Sequence, residues 1–245
     1  MRNGIPCTDC IDRKSVRPAL RHACYRQSRA ATMPLALNIA AHRRRETWWR
    51  DVDRFIVLSG FQKNLMARGG LPEERISVKP NFGAVQATPV PFQDRPLQAV
   101  FVGRISGEKG VTDLINAWRI WGTDAPDLLI VGEGHLRPQL EAQTADLPKV
   151  RFMGQLPAQD VSDIISQARL VVLPSRCYET FGMTIVEAFS RGVAVGVSRL
   201  GPLPDIVAPA RGLVFAPNNA EDLHRVIAAA WADQADLADR GRLGY

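Results

Sequence analysis

From residue 97 onward, short apolar segments alternate with longer amphipathic ones in a regular order. The apolar segments predict strands at 97–103, 127–131, 150–153, 169–173, 193–197 and 212–215. The amphipathic segments predict helices at about 110–121, 136–143, 157–167, 183–191 and 219–232. Strands that are apolar throughout are typical of a parallel sheet covered on both faces. The sequence therefore predicts a doubly wound, Rossmann-like α/β domain, which would bind its ligand beyond the carboxyl ends of the strands.

The first third of the chain predicts a second, partial α/β domain. Residues 1–25 are polar and rich in Arg and Cys, which predicts loops. A helix over 28–47, a strand over 53–59, a helix over 61–68 and a strand over 75–79 are expected to follow. The proline-containing stretch 83–96 predicts a linker. We therefore expect domains at 1–82 and 97–245, joined by 83–96.

Charge is distributed unevenly between these parts. Residues 1–82 carry 16 Lys and Arg against 7 Asp and Glu, or +9, whereas 83–245 carry 15 against 18, or −3. This asymmetry favours an anionic partner, either a membrane surface, a nucleic acid or a phosphorylated substrate, unless the face is simply solvated. A nucleic-acid partner is not expected, because no RNA- or DNA-binding motif appears and the positive charge does not continue into the α/β domain.

Peripheral membrane contact through the basic N-terminal third is one expectation. The basic run 43–45 beside Trp48 and Trp49 suits a membrane interface, or alternatively a basic helix end with both tryptophans packed inside. No apolar run reaches the ~18 residues of a membrane span, and no signal-peptide pattern appears. The prediction is a cytoplasmic protein that can rest on a membrane.

Cysteine spacing leaves a metal site open. Cys7, Cys10, His22 and Cys24 could supply four zinc ligands, although their spacing matches no standard zinc module. The alternative is reduced thiols in a loop, since disulfides are rare in cytosolic proteins.

Two cations follow the first predicted strand of the α/β domain. In the turn 103–110, Gly103 lets the backbone approach a ligand, and Arg104 and Lys109 suit a diphosphate, because Arg offers a fork of donors and Lys a point charge. Both could also be ordinary solvated loop cations.

A second turn, Gly132-Glu133-Gly134, lacks the third glycine of the dinucleotide fingerprint, since Arg137 occupies that position. Tight packing between strand and helix explains these glycines.

A third turn, 174–187, combines a long loop with a helix start. Backbone N–H groups at Gly182 and the next two residues would form an anion site at the predicted helix N-terminus. Glu187 could accept hydrogen bonds from ribose hydroxyls, and Glu179 could meet a sugar. Alternatively, Thr184 and Glu187 form a capping box, and Glu179 is a solvated loop residue.

These residues resemble a known family. Glu179 and Glu187 are seven residues apart, as in the E-x7-E signature of the retaining glycosyltransferases of family 4, which have the GT-B fold. The resemblance extends over 53–232 and includes FVGRISGEKG at 101–110, LLIVGEGHLRPQLE at 128–141 and VVLPSRCYETFGMTIVEAFSRGVAVG at 171–196.

The resemblance implies transfer of a hexose from a nucleotide-diphosphate sugar to a glycan, lipid or other acceptor, with retention of the anomeric configuration. Arg104 and Lys109 would bind the diphosphate and stabilise it as it leaves. Glu179 would contact the transferred sugar, and Glu187 the ribose.

The same resemblance implies further donor-binding residues and no metal or other cofactor. Met153 would lie by the nucleobase. The main chain would hold sugar hydroxyls and phosphate at Phe181, Gly182, Met183 and Thr184.

The chain departs from the family pattern at its start. Residues 1–82 resemble only the last part of the family's acceptor-side N-terminal domain. The acceptor, the sugar and the base are not readable from the sequence. Because residues 1–82 resemble only part of that domain, the alternative function is a nucleotide-sugar-binding fragment that does not complete the transfer.

Overall fold

A computed structural model describes residues 2, 4–83 and 88–245. The chain forms two compact units, Met1–Asn81 and Phe82–Tyr245.

The second unit is built on a six-stranded parallel sheet. Its strands are β3 (Gln98–Val102), β4 (Asp127–Val131), β5 (Val150–Gly154), β6 (Leu170–Leu173), β7 (Ala194–Ser198) and β8 (Gly212–Phe215). The strand order is β5-β4-β3-β6-β7-β8, and every neighbouring pair is parallel. The predicted doubly wound α/β fold is confirmed, and each predicted strand lies within one or two residues of the observed one.

Helices cover both faces of this sheet. The helices are α6 (Val111–Trp121), α7 (Arg137–Gln143), α8 (Ala158–Ser166), α9 (Met183–Phe189), α10 (Leu203–Arg211), α11 (Ala220–Ala232) and α12 (Gln234–Gly244). One core lies against α6, α7, α11 and α12, where Trp118 and Ile227 are buried. The other core lies against α8, α9 and α10, where Ile165 and Ile185 are buried. Two apolar cores, one on each face of the sheet, explain why its strands are apolar on both sides.

Two helices of this unit were not predicted. Helix α10 contains Pro204 and Pro209 and is kinked at Ala208, which has φ +50°. Prolines argue against a helix when only the sequence is read, but Pro204 lies in the first turn, where no N–H is needed. Helix α12 is mostly polar and buries only Leu237 and Gly241, so it carries little amphipathic signal.

The first unit has a two-stranded parallel sheet and five helices among its described residues. The strands are β1 (Phe55–Val57) and β2 (Ile76–Val78), and the helices are α1 (Asp9–Asp12), α2 (Arg17–Arg21), α3 (Arg29–Arg44), α4 (Thr47–Arg50) and α5 (Gly60–Arg68). The expectation of loops over 1–25 is wrong, because α1 and α2 lie there, and α2 begins at Arg17-Pro18, a favoured helix start.

Other boundaries in this unit also shift for identifiable reasons. The predicted helix 28–47 ends at Arg44, and Glu46 in left-handed conformation (φ 54°) separates it from α4. The predicted strand 53–59 stops at Val57, because Ser59 caps α5 by accepting a hydrogen bond from the Gln62 N–H (3.2 Å). Trp48 stacks on His42, with ring centroids 5.9 Å apart. Trp48 and Trp49 are half-buried.

The candidate zinc ligands do not form a metal site. Cys7, Cys10 and Cys24 are free thiols, and burial raises the pKa of Cys10. Across residues 2, 4–83 and 88–245, no three His, Cys, Asp or Glu side chains are arranged to hold a metal ion. In the same residues, no helix is both long enough and apolar enough to cross a bilayer.

A buried arginine ties part of the predicted linker 83–96 to the second unit. Residues 84–87 of that stretch lie outside the described residues. Arg95 is only 3% exposed, and its guanidinium donates to the carbonyls of Val90 (2.7 and 3.0 Å), Gly192 (3.0 Å), Arg191 (3.0 Å) and Ala168 (3.3 Å). Burial lowers its pKa, and five hydrogen bonds to carbonyls offset the cost of burying the charge.

We predict that Arg95→Met destabilises the second unit by about 2–4 kcal/mol, because several buried carbonyls lose their donor. Chemical denaturation followed by circular dichroism measures the change. Arg242→Met is the control, since that side chain is 72% exposed, and its effect is expected within about 0.5 kcal/mol. Equal effects of the two substitutions would contradict the role assigned to Arg95.

Candidate functional site

The candidate site lies where the two central strands, β3 and β6, end side by side. The chain leaves β3 towards β4 on one side and leaves β6 towards β7 on the other. Such a divergence opens a crevice at the carboxyl ends of the strands, where doubly wound folds bind ligands. The loops that border it are 103–110, here called the β3 loop, and 174–182, here called the β6 loop.

A salt bridge joins the two loops across this crevice. Lys109 Nζ lies 2.7 Å from Glu179 Oε1 and 2.9 Å from Oε2. The Glu179 side chain is 12% exposed and also accepts a hydrogen bond from the Ser175 hydroxyl. Two residues predicted separately, 70 positions apart, are therefore in direct contact.

Arg104, the other predicted cation, points towards solvent. Its side chain is 72% exposed, and Nη1 is 3.9 Å from Glu108 Oε1. At this distance and exposure the ion pair contributes little. Arg104 can therefore turn towards an anion in the crevice at little cost.

Main-chain contact sets the spacing of the β3 and β6 loops. Gly110 has φ +70°, and a Cβ at this position would overlap the carbonyl oxygen of Pro174. The Arg176 N–H donates to the Glu108 carbonyl (2.8 Å). The loops thus approach as closely as two backbones can, and only glycine fits at position 110.

The second turn supports the β3 loop from its other side. A Cβ at Gly132 would overlap the Gly103 carbonyl. The Gly103 N–H donates to the main-chain carbonyl of Val131 (3.0 Å), and the Ile105 N–H donates to the main-chain carbonyl of Glu133 (2.8 Å). These glycines serve backbone packing, as the incomplete fingerprint indicated.

A half-buried ion pair, not predicted from the sequence, links the β6 loop to α6. The Arg176 guanidinium donates to both carboxylate oxygens of Asp113, with Nε 2.7 Å from Oδ2. Asp113 lies in the first turn of α6, and its side chain is 10% exposed. The hydrogen bond to Asp113 raises the pKa of Arg176. Next to it, burial raises the pKa of the Cys177 thiol, and the charge of Glu179 adds to this effect.

A cavity of about 550 Å³ opens beside the crevice, between α8 and α9. Four predicted donor-binding residues line it, namely Gly103, Met183, Thr184 and Glu187. Gly182 is the N-cap of α9, and Phe181 is buried. The capping-box alternative for Thr184 and Glu187 is wrong, because Thr184 lies inside α9 and no side chain caps the helix.

Residues that the sequence did not indicate form the rest of the cavity. Arg191 donates through Nε to Ser162 Oγ (3.2 Å) and through Nη1 to the Glu187 carbonyl (2.8 Å). These bonds tie α8 to the end of α9. Ser162 lies in α8 and Arg191 in the turn after α9, so the spacing of the two residues in the sequence forms no motif.

Met153 does not line this cavity. It lies near the end of the edge strand β5 and is 39% exposed. The structure places it two strands away from β3, on the β4 side of the sheet.

Comparison with known proteins shows the family of the chain. The chain belongs to the glycosyl transferases group 1 family, whose model matches residues 86–244, more than half of the chain.

Curated relatives match the same part of the chain. The chain is 31% identical over 178 residues to an uncharacterized glycosyltransferase of Methanocaldococcus jannaschii, a match that covers 71% of this chain and 42% of that protein. It is 28% identical over 182 residues to a GDP-mannose-dependent monoacylated alpha-(1-6)-phosphatidylinositol monomannoside mannosyltransferase of Corynebacterium glutamicum, covering 71% and 46%. The chain thus covers less than half of the length of these relatives.

Solved structures share the fold. Sucrose-phosphate synthase from Thermosynechococcus elongatus superposes with a TM-score of 0.68 at 26% identity, covering 77% of this chain and 51% of that one. Anabaena HepE, in complex with UDP and glucose, superposes with a TM-score of 0.71 at 19% identity, covering 97% and 64%.

We predict that Gly110→Ala lowers the free energy of unfolding by about 2 kcal/mol or more, because the new Cβ meets the Pro174 carbonyl and φ is positive. Gly107→Ala in the same loop is the matched control, since a Cβ there has open space. Thermal melts of both variants measure the difference. A Gly110→Ala melt like that of Gly107→Ala would show that the loops are not packed as described.

Proposed function

We propose that this chain provides the donor-binding part of a family 4 retaining glycosyltransferase that moves a hexose from a nucleoside-diphosphate sugar to an acceptor. The observation that carries the proposal is the Lys109–Glu179 salt bridge across the crevice (2.7 Å), beside the cavity lined by Glu187. A cation, a carboxylate facing it and a second carboxylate in the adjacent cavity suit the three parts of such a donor.

The diphosphate end of the donor would meet Lys109 and Arg104. Negative charge develops on the diphosphate as the bond to the sugar breaks, so groups that bind it more tightly at that stage accelerate the reaction. Lys109 is already held at the crevice, whereas Arg104 is exposed and can close onto the diphosphate. Together they supply the positive charge that a divalent metal provides in other transferases.

Glu179 and Glu187 would bind the two sugars of the donor, the transferred hexose and the ribose. A diphosphate competes with Glu179 for Lys109, which leaves the Glu179 carboxylate to accept hydrogen bonds from hydroxyls of the transferred hexose. Glu187 lines the cavity one helical turn into α9 and would accept hydrogen bonds from the ribose. Retention of the anomeric configuration and the place of Met153 beside the base are proposed from the family resemblance.

The base and the sugar are the open variables. The mannosyltransferase of Corynebacterium glutamicum is named for GDP-mannose, and Anabaena HepE was solved with UDP and glucose. These two similar proteins are named with different nucleotides, so a direct test must compare several nucleotides.

We expect one of UDP, GDP and ADP to bind the chain in calorimetric titration, and Lys109→Ala and Glu187→Gln each to weaken that binding about tenfold, as loss of one charged contact implies. Glu221→Gln is the matched control. Glu221 is, like Glu187, a glutamate in a helix, but it lies in the first turn of α11 and does not line the cavity. If a folded chain binds none of the three, the proposed donor site fails.

We further expect the binding to be unchanged by EDTA, since side-chain cations and not a metal would neutralise the diphosphate. Repeating the titration with added chelator measures this. Loss of affinity that Mg²⁺ restores would contradict the metal-free proposal and leave the donor site intact.

The second candidate is a fragment that binds a nucleotide sugar without transferring it. The chain spans less than half of the length of the curated relatives reported above, so transfer by this chain has to be tested directly. Turnover of donor to glycoside separates the two, and proton NMR of the product reads its anomeric configuration. A retained configuration supports the first proposal, and an inverted one contradicts it. If the chain binds the donor but neither hydrolyses nor transfers it, the second candidate is supported.

A further inference from the structure

We propose that Arg176 and Asp113 are positioning residues, which hold Glu179 against Lys109 and thereby keep the β3 and β6 loops at the separation that the donor diphosphate requires. The proposal rests on the function proposed above. It does not concern Lys109 or Glu179, which would face the donor, but the ion pair that links their loops to α6.

Arg176 touches both sides of the crevice at once. It belongs to the β6 loop, its N–H donates to the Glu108 carbonyl in the β3 loop (2.8 Å), and its guanidinium binds the Asp113 carboxylate in the first turn of α6 (2.7 Å for Nε to Oδ2). One residue therefore connects the β6 loop with the β3 loop and with the helix that the β3 loop enters.

The two groups that Arg176 binds, the Glu108 carbonyl and the Asp113 carboxylate, lie on either side of Lys109 in the chain. Lys109 is preceded by Glu108, whose carbonyl Arg176 binds, and Asp113 follows four residues later. Glu179 is three residues beyond Arg176. Any shift of the β6 loop relative to α6 would move the Glu179 carboxylate with respect to Lys109 Nζ, which it now contacts at 2.7 and 2.9 Å.

The Arg176–Asp113 ion pair fixes the orientation of the two side chains as well as pairing their charges. A planar guanidinium that donates two parallel bonds to one carboxylate fixes orientation as well as distance, which a lysine cannot do. The Arg176 side chain is 26% exposed and the Asp113 side chain 10%, so water competes poorly for these bonds. Displacement of a binding group by about 1 Å can cost on the order of a hundredfold in rate.

Cys177 provides a reporter of the β6 loop. It follows Arg176 directly and is half-buried, and its pKa is raised by that burial. Loosening the loop would expose this thiol. Removing the neighbouring arginine charge would by itself disfavour the thiolate, so a faster reaction in an arginine variant reports exposure.

The experiment uses the full chain with Cys7, Cys10 and Cys24 replaced by serine, and compares Arg176→Met with Arg176→Lys. We expect Arg176→Met to raise the rate of Cys177 modification by a disulfide reagent at least about tenfold. We also expect it to weaken binding of the preferred nucleoside diphosphate about tenfold. Arg176→Lys should recover little of either property, because it keeps the charge and loses the second bond.

Arg119→Met is the matched control. Arg119 lies on α6, the helix that carries Asp113, and donates two hydrogen bonds to Asp146, which is outside the β3 and β6 loops. The substitution should change neither readout. Circular dichroism and thermal melts show that each variant is folded at the assay temperature. A pair that only stabilises the unit would lower the melting temperature and leave the Cys177 rate and the affinity of the folded protein unchanged, which would overturn the proposal.

The two proposals fail in different ways. If wild-type chain binds no nucleotide, the donor site fails, whereas the Cys177 rates still decide whether the pair holds the loop. If nucleotide binds and the Cys177 rate in Arg176→Met equals that of wild type, the positioning role is wrong and the donor site stands. Recovery of both properties by Arg176→Lys would show that charge alone matters, and would also overturn the proposal.

Discussion

The contact between main chains at the carboxyl ends of the central strands is the constraint on which the site depends. Gly110 rests against the carbonyl of Pro174, and Gly132 against that of Gly103. Side chains larger than hydrogen would separate these loops, and every charged group carried by them would move apart. The close packing of the backbone is therefore what allows a lysine from one loop to meet a glutamate from another.

The Lys109–Glu179 salt bridge has a second role besides its place in the site. Two charges at the edge of a crevice satisfy each other while no ligand is bound, which limits the cost of removing them partly from water. A diphosphate that takes over Lys109 must separate this pair. Binding energy from the rest of the donor can meet that cost, which favours ligands that offer both a phosphate for the lysine and hydroxyls for the glutamate.

The sequence predicts the α/β unit well because its strands are apolar along their whole length and its helices are amphipathic. It also indicates Arg104, Lys109 and Glu179, which lie in loops after strands, and Glu187, which lies in α9. All four belong to segments that resemble the family. By contrast, helix α10 was missed because its prolines argue against a helix. The short helices before residue 25 were missed because they bury only Pro18 among their residues.

The contacts that arrange the site could not be predicted in the same way. Arg176 and Asp113 are 63 positions apart, and Arg191 and Ser162 are 29 apart. Nothing in their local sequence distinguishes them from other polar residues, because their partners are chosen by packing of distant elements. Met153 was assigned by resemblance, and the strand order alone shows that it lies two strands away from β3.

Arg95 differs in kind from the ion pairs around the crevice. Its acceptors among the described residues are backbone carbonyls, which neither gain nor lose a proton in water. The attachment it provides does not depend on any acid staying ionised, and buried bonds of this type are poorly screened by salt. Acidic or saline conditions that weaken surface ion pairs should therefore leave the entry of the chain into the second unit in place.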